Sequence, residues 1–377
     1  MELRAELSRE LNALGAPKYG GVYAPFTKAL ISELSMIGVQ LDLLSKESAV
    51  LAARLPQMRF GRIQRKARTL FGEALGLRMA ECVRKDLDNG MCAIADRLLS
   101  EFARAVTLEI PLLSTVAESE FFGASTRIVR LRYPTNSIWD LPVLGHEFAH
   151  SFGPLWYWAG APDEHPRQSF VRNSRLGTRL VSDEYFCDLM GTFLLGPSYA
   201  LMCILDRFDP TASEDTETHP SDVKRAWWVL RGLELLGGEL PNGDDREEYK
   251  EMACELRELW TAFTKDSGAD SVTDNDVAAL ELAIQSLFPQ MSLGLPIAAY
   301  KCPRIAWGLV ADYKETPKSS SGDRIPVVGV ATHRQASPRT DIRDVLNAAW
   351  LLRRENKNGD LAHIDAWARG LAGSVSQ

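Results

Sequence analysis

Asp140-Leu-Pro-Val-Leu-Gly-His146-Glu147-Phe-Ala-His150-Ser-Phe-Gly-Pro154 is the stretch on which the reading of this chain turns. As a helix it places His146 and His150 four residues apart, one turn above the other on a single face. Two imidazoles so arranged can reach one divalent cation together. Glu147 lies about 100° round from His146, close enough to hold a water bound to that cation. The flanks suit a helix: Asp140 is a candidate N-cap, Pro142 is tolerated in the first turn, and Gly153-Pro154 ends it. Histidine is scarce, 6 in 377 residues, which weighs against coincidence. A purely structural zinc site is disfavoured, because such sites are closed by four protein ligands, often cysteines, and none lies near this helix in sequence.

Three protein ligands and an open position require a third donor. The segment Val181-Ser-Asp-Glu184-Tyr-Phe-Cys-Asp188-Leu-Met-Gly-Thr-Phe-Leu-Leu195 offers one. Ser182 or Asp183 can cap a helix here, and Glu184 and Asp188 then project from one face. Acidic pairs usually sit in water. Around Asp188, however, Phe186, Cys187, Leu189, Met190 and Phe193 are apolar on nearly every side, so its carboxylate needs a metal or a histidine as partner.

H-E-x-x-H followed some thirty residues later by E-x-x-x-D resembles the pattern of the gluzincin metallopeptidases, the thermolysin-like and HtpX-like peptidases among them. The resemblance implies zinc held by His146, His150 and Glu184, Glu147 as general base, and Asp188 as the carboxylate that orients His146. Such a carboxylate fixes the tautomer of a ligating imidazole. Glu217-Thr-His219-Pro-Ser-Asp222-Val-Lys-Arg225 is similar to the T-H-P-P…R segment of the HtpX-like peptidases, with Ser221 in place of the second proline. It implies that His219 lies near the metal, either stabilising the oxyanion or blocking the site as an extra ligand; the ordinary alternative is a surface loop histidine. Arg225 is expected to anchor the loop to a carboxylate. The likeness covers roughly residues 125 to 230.

With 45% hydrophobic and 25% charged residues the composition is that of a globular chain with a sizeable core. A net charge of −7 argues against a nucleic-acid partner, and the basic run Arg59–Arg68 reads as a solvated helix face. The start is charged and amphipathic, unlike a secretory signal. The longest uncharged stretch, Leu189–Leu205, is short for a membrane span and is interrupted by Gly196-Pro197, so it reads as a buried helix running on from the metal site. Six cysteines show neither metal-type nor disulfide spacing, which suits reduced thiols and a cytoplasmic location.

Apolar periodicity predicts helices over 25–55, 63–87, 91–108, 226–236, 249–263, 277–288 (ended by Pro289) and 342–354. Alternation at Ser125–Pro134 predicts a strand over 126–133, read as an edge strand able to pair with an extended substrate. Val327–Val330 is a further short strand candidate, and Thr316–Asp323 reads as a linker. Trp156, Tyr157 and Trp158 are expected in the core rather than as a specificity wall, His165 in a loop with a fourth-ligand role as its lesser alternative, and His333 and His363 on the surface. The expected fold is mainly α (α+β): a zincin-like metallopeptidase core with a small sheet over 111–240, flanked by helical regions at 1–110 and 241–377.

The expected activity is hydrolysis of protein or peptide substrates, with zinc acidifying a water and Glu147 moving its proton. His219 or a tyrosine such as Tyr157 would bond the oxyanion. The rival from another class is a catalytically silent zinc-binding module; a third reading is a latent peptidase released by a regulatory protein partner.

Overall fold

A computed structural model describes residues 2–14, 24–47, 54–87, 90–106, 113–117, 121–123, 128–132, 137–156, 165–240, 243–267, 272–301, 303–315, 340–355 and 361–374. Among them the chain is overwhelmingly helical, with fourteen α-helices and three short strands. In order these are α1 Glu2–Leu14, α2 Ala24–Glu47, α3 Arg54–Leu87, α4 Met91–Ala105, β1 Leu113–Ala117, β2 Phe121–Gly123, β3 Ile128–Arg132, α5 Val143–Phe152, α6 Pro166–Asn173 and α7 Arg179–Leu195. There follow α8 Pro197–Met202, α9 Asp222–Gly238, α10 Asp244–Ser267, α11 Asp274–Gly294, α12 Pro303–Glu315, α13 Ile342–Glu355 and α14 Leu361–Ser374. Helices α1–α3 share an apolar cluster of their own built on Leu7, Leu30, Leu34, Ile37 and Leu70. From α4 onward, one continuous core joins the remaining helices.

The axis of that core is α7, buried along nearly its whole length from Val181 to Leu195 and packed against both α5 and α9. Close approach to α5 depends on two glycines. A Cβ on Gly145 would lie 2.8 Å from Leu195 Cδ1 and 3.0 Å from the Gly191 Cα, and one on Gly191 would lie 2.6 Å from the Tyr199 ring. Real Cβ atoms do not tolerate such separations in a packed interior. The backbones therefore meet where no side chain intervenes, one residue before His146 and three after Asp188.

Several boundaries differ from the sequence expectations. Thr178, not Ser182 or Asp183, caps α7: its side chain accepts from Val181 N, so the helix starts a turn early. Asp140 does not cap α5. Its carboxylate turns back to accept from Ser137 N and Oγ and pairs with Arg207, while Pro142 takes the cap position. Of the first predicted helix α2 covers residues up to Glu47, 48–53 lie outside the described residues, and α3 starts at Arg54, ahead of its predicted start; α11 runs through Pro289 to Gly294. The three strands order as β1-β3-β2, with β3 parallel to β1 and antiparallel to β2. The predicted strand is therefore the central one. Both its backbone edges are taken over Ile128–Arg130, which removes it as the edge that would receive a substrate.

The uncharged stretch behaves as expected for buried material. Gly196, at φ +59°, breaks it, and a Cβ there would meet the Tyr300 ring and the Tyr249 hydroxyl. Asn347 of α13 closes the break: its side chain accepts from Ser198 N and donates to Leu195 O. Among the described residues no helix is long and apolar enough to cross a membrane. Arg59, Arg62, Arg65, Lys66 and Arg68 are exposed on α3, a solvated face. The linker at 316–323 and the strand candidate at 327–330 lie outside the described residues.

Replacing Gly191 with alanine is expected to cost about 1–3 kcal/mol by overpacking Tyr199. Gly370→Ala on α14, where a Cβ meets nothing within 4 Å, should instead be neutral or raise stability by up to about 1 kcal/mol. Urea midpoints of the two variants check the contrast.

Candidate metal centre

Helix α5 presents His146 and His150 on one face, as the four-residue spacing requires; their rings meet edge-on at 4.9 Å. The two Nε2 atoms lie 3.2 Å apart. Across the α5–α7 crossing, Glu184 Oε2 lies 3.4 Å from His146 Nε2 and Oε1 lies 3.5 Å from His150 Nε2. Two nitrogens and a carboxylate thus converge on one small volume. Glu147 is buried on the same helix, 7% exposed.

The opposite nitrogen of His146 is held just as definitely. Its Nδ1 lies 2.9 Å from Asp188 Oδ1. Asp188, with no exposure at all, also accepts from Tyr199 Oη at 2.7 Å and from Arg225 through Nε at 2.8 Å and Nη2 at 2.9 Å. Burial alone would raise the Asp188 carboxyl, but the Arg225 guanidinium and His146 overcome it and hold the group well below the carboxylate range. Burial likewise favours a neutral His146, yet the Asp188 and Glu184 carboxylates push its imidazolium up to about 10 in the metal-free chain. Glu184 is depressed despite burial, through His146, His150 and Arg225. Burial drives the Tyr199 phenol far up, so it remains a donor.

His150 is flanked differently. Its Nδ1 lies 3.3 Å from Cys187 Sγ and 3.5 Å from Asp183 Oδ2. His146, His150 and Cys187 offer donor atoms within 4.8 Å of one another, a largely buried group that could hold a metal ion. No cysteine lies near the histidine helix in sequence, but folding brings Cys187 beside it on α7, which weakens that argument against a cysteine ligand. Burial pushes its thiol well above the ordinary value.

The loop carrying His219 is ordered by its own hydrogen bonds. Thr216 N donates to His219 O at 2.8 Å, and Thr178 Oγ1 ties Glu217 O to the start of α7. His219 is half exposed, its Nδ1 2.8 Å from Thr218 Oγ1 and its Nε2 3.8 Å from Glu184 Oε2, so it stands at the rim of the histidine–carboxylate cluster. Ser221, the departure from the resembled motif, caps α9 by accepting from Lys224 N. Arg225 anchors to a carboxylate, that of Asp188. Trp156 packs in the core between Phe152 and Phe186; Tyr157 and Trp158 lie outside the described residues, as does His333. His165 occupies the N-cap position of α6, and His363 lies on α14, partly exposed.

Sequence reasoning did not find Tyr199, which follows a helix break, nor Asp183 and its bidentate partner Arg167 at 2.5 Å. The only hint for Asp183 was its place next to Glu184. Comparison with protein families, with curated proteins and with solved structures gives no match.

The two shifted groups set a pH window for metal-free protein. Asp188, depressed on folding, contributes stability above about pH 4 that is lost as pH falls; His146, raised on folding, contributes stability below about pH 6.5 that is lost as pH rises toward about 10. Chelator-treated protein is therefore expected to be most stable between those limits, and Asp188→Asn to flatten both flanks of the profile. Urea midpoints against pH measure it, and an unchanged profile in the variant would refute the assignment.

Proposed function

We propose that this chain is a zinc metallopeptidase in which His146 and His150, through Nε2, and Glu184 hold the metal. The observation that carries this reading is a set of three separations. Zinc bonds of about 2.0–2.1 Å to nitrogen and oxygen in a tetrahedron place neighbouring ligand atoms about 3.3–3.4 Å apart. The two Nε2 atoms lie 3.2 Å apart, and the Glu184 carboxylate meets each through its own oxygen, Oε2 at 3.4 Å from His146 Nε2 and Oε1 at 3.5 Å from His150 Nε2. Cys187 is the competing third donor, but it faces Nδ1 of His150, the ring atom turned away from Glu184. One imidazole cannot offer both nitrogens to one ion. A two-histidine, one-carboxylate set with a fourth position open matches catalytic rather than structural zinc.

Zinc bound there would polarise a substrate carbonyl and acidify a water. Glu147, buried one residue after the first ligand, takes the proton of the attacking water and returns it to the leaving nitrogen. Asp188 keeps His146 as the Nδ1–H tautomer, leaving Nε2 free to ligate. Arg225 and Tyr199 keep Asp188 ionised and fixed in place. His219 at the rim donates to the developing oxyanion. Its nearness to Glu184 also favours a second reading, a latent site in which His219 fills the fourth position until a partner or substrate moves the loop.

Elemental analysis should find about one zinc per chain in wild-type protein, none in His146→Ala or Glu184→Ala, and an unchanged content in Cys187→Ala. Zinc lost with Cys187 but kept without Glu184 would reverse the ligand assignment. Glu147→Gln is expected to keep its zinc and lose hydrolysis of unfolded protein by about 10²–10⁴-fold. Wild-type protein that binds zinc yet cleaves nothing would favour the silent module. His219→Ala separates the two roles of that residue: activity falls if it donates to the oxyanion and rises if it plugs the site.

A further inference from the structure

We infer that Arg167, on the short helix between the two ligand helices, is a positioning residue for the metal centre, acting through Asp183 on His150. The inference rests on the zinc reading above and adds to it a second support that mirrors the first. On one side His146 leans on Asp188, which is forked by Arg225. On the other, His150 Nδ1 faces Asp183 Oδ2 at 3.5 Å, and Asp183 is forked by Arg167, Nε to Oδ1 and Nη2 to Oδ2, both at 2.5 Å. Each histidine of the pair thus backs onto its own aspartate, and each aspartate is gripped in two places by an arginine from a different helix.

Three observations set this arrangement apart from an ordinary ion pair between helices. First, it is sheltered: the Arg167 and Asp183 side chains are each 15% exposed. A shielded bidentate pair is a rigid one. Second, the Nδ1 edge of His150 has only two described neighbours that hydrogen-bond or ion-pair with it, Asp183 and the Cys187 thiol. To ligate through Nε2, the ring must carry its proton on Nδ1 and donate it. A carboxylate is a strong acceptor and a thiol sulfur a weak one, so Asp183 decides the tautomer. Third, the route of Arg167 is built in. Its stem passes over Gly153, where a Cβ would come 2.3 Å from Arg167 Cδ and 2.9 Å from Phe186 Cε1. Gly153 closes α5 three residues after His150, so the end of the histidine helix is shaped to admit this arginine. The guanidinium then stands 6.0 Å from the Phe186 ring.

The consequence is that α6 serves the metal centre without touching it. Loss of either member leaves His150 free to rotate or to adopt the other tautomer, and orienting partners of metal-bound histidines typically carry about 10–100-fold in metal affinity. The test is zinc affinity of the full chain, by chelator competition, in Arg167→Ala, Arg167→Lys, Asp183→Asn and Gly153→Ala. The control is Arg231→Ala, which removes an equally bidentate arginine whose described ion-pair partners, Glu281 and Glu234, are not members of the histidine cluster. Melting of the metal-free proteins, and the visible absorption of the cobalt(II) forms, are recorded beside it.

The expected result is a loss of about 10–100-fold in zinc affinity in Arg167→Ala, with an altered cobalt spectrum. Arg167→Lys should recover part of the affinity, since it restores charge but not the fork. Asp183→Asn and Gly153→Ala should fall in the same direction, and Arg231→Ala should bind zinc like wild type even where its melting drops. If Arg167→Ala does not fold, Arg167→Lys and Asp183→Asn decide. Wild-type affinity and spectrum in the clamp variants overturn the inference alone. Wild-type protein that takes up no metal overturns the metal centre, and the clamp with it.

Discussion

A single carboxylate without solvent contact, Asp188, is what the middle of this molecule is arranged around. An isolated ionised carboxylate costs far too much in a low-dielectric interior, and the chain meets that cost with four hydrogen bonds from three residues. Tyr199 comes from the helix after the Gly196 break, Arg225 from α9 and His146 from α5. Three elements are therefore tied to α7 by one side chain. Because the same bond that satisfies Asp188 orients His146, stability and site geometry are carried by one contact. Removing one partner of such a buried charge cluster costs on the order of 3–5 kcal/mol.

That contact needs α5 and α7 to be unusually close, and the Gly145–Gly191 meeting permits it. A carboxylate one turn before Asp188 then falls opposite the two Nε2 atoms, since a helix repeats its face every four residues. The convergence of His146, His150 and Glu184 follows from helix geometry and one crossing. The C-terminal helices contribute at a distance, by capping the α7–α8 break through Asn347 and filling around Gly196 with Tyr300 and Tyr249.

Much of the site could be read from the residues because its logic is periodic. Pairs four apart declare a shared face, and an acidic residue in an apolar helix declares a partner. Helical preponderance was legible for the same reason. Contacts that cross between elements at single points carry no such signature. Asp183 looked like a helix cap; its real partners, Arg167 and His150, lie 16 and 33 residues upstream. Cys187 looked like apolar filler, and only folding brings its sulfur to His150. Asp140 looked like a cap, but Ser137 and Arg207 offered its carboxylate better donors. The central place of β3 was likewise invisible, because β1 and β2 have no strong alternation of their own.

X-ray absorption at the zinc edge of the zinc-loaded wild-type protein bears most directly on the central claim. If His146, His150 and Glu184 hold the metal, the nearest scatterers are nitrogen and oxygen at about 2.0–2.1 Å, with two imidazoles and no sulfur. A sulfur scatterer at about 2.3 Å would put the metal on Cys187 instead of Glu184 and contradict that assignment.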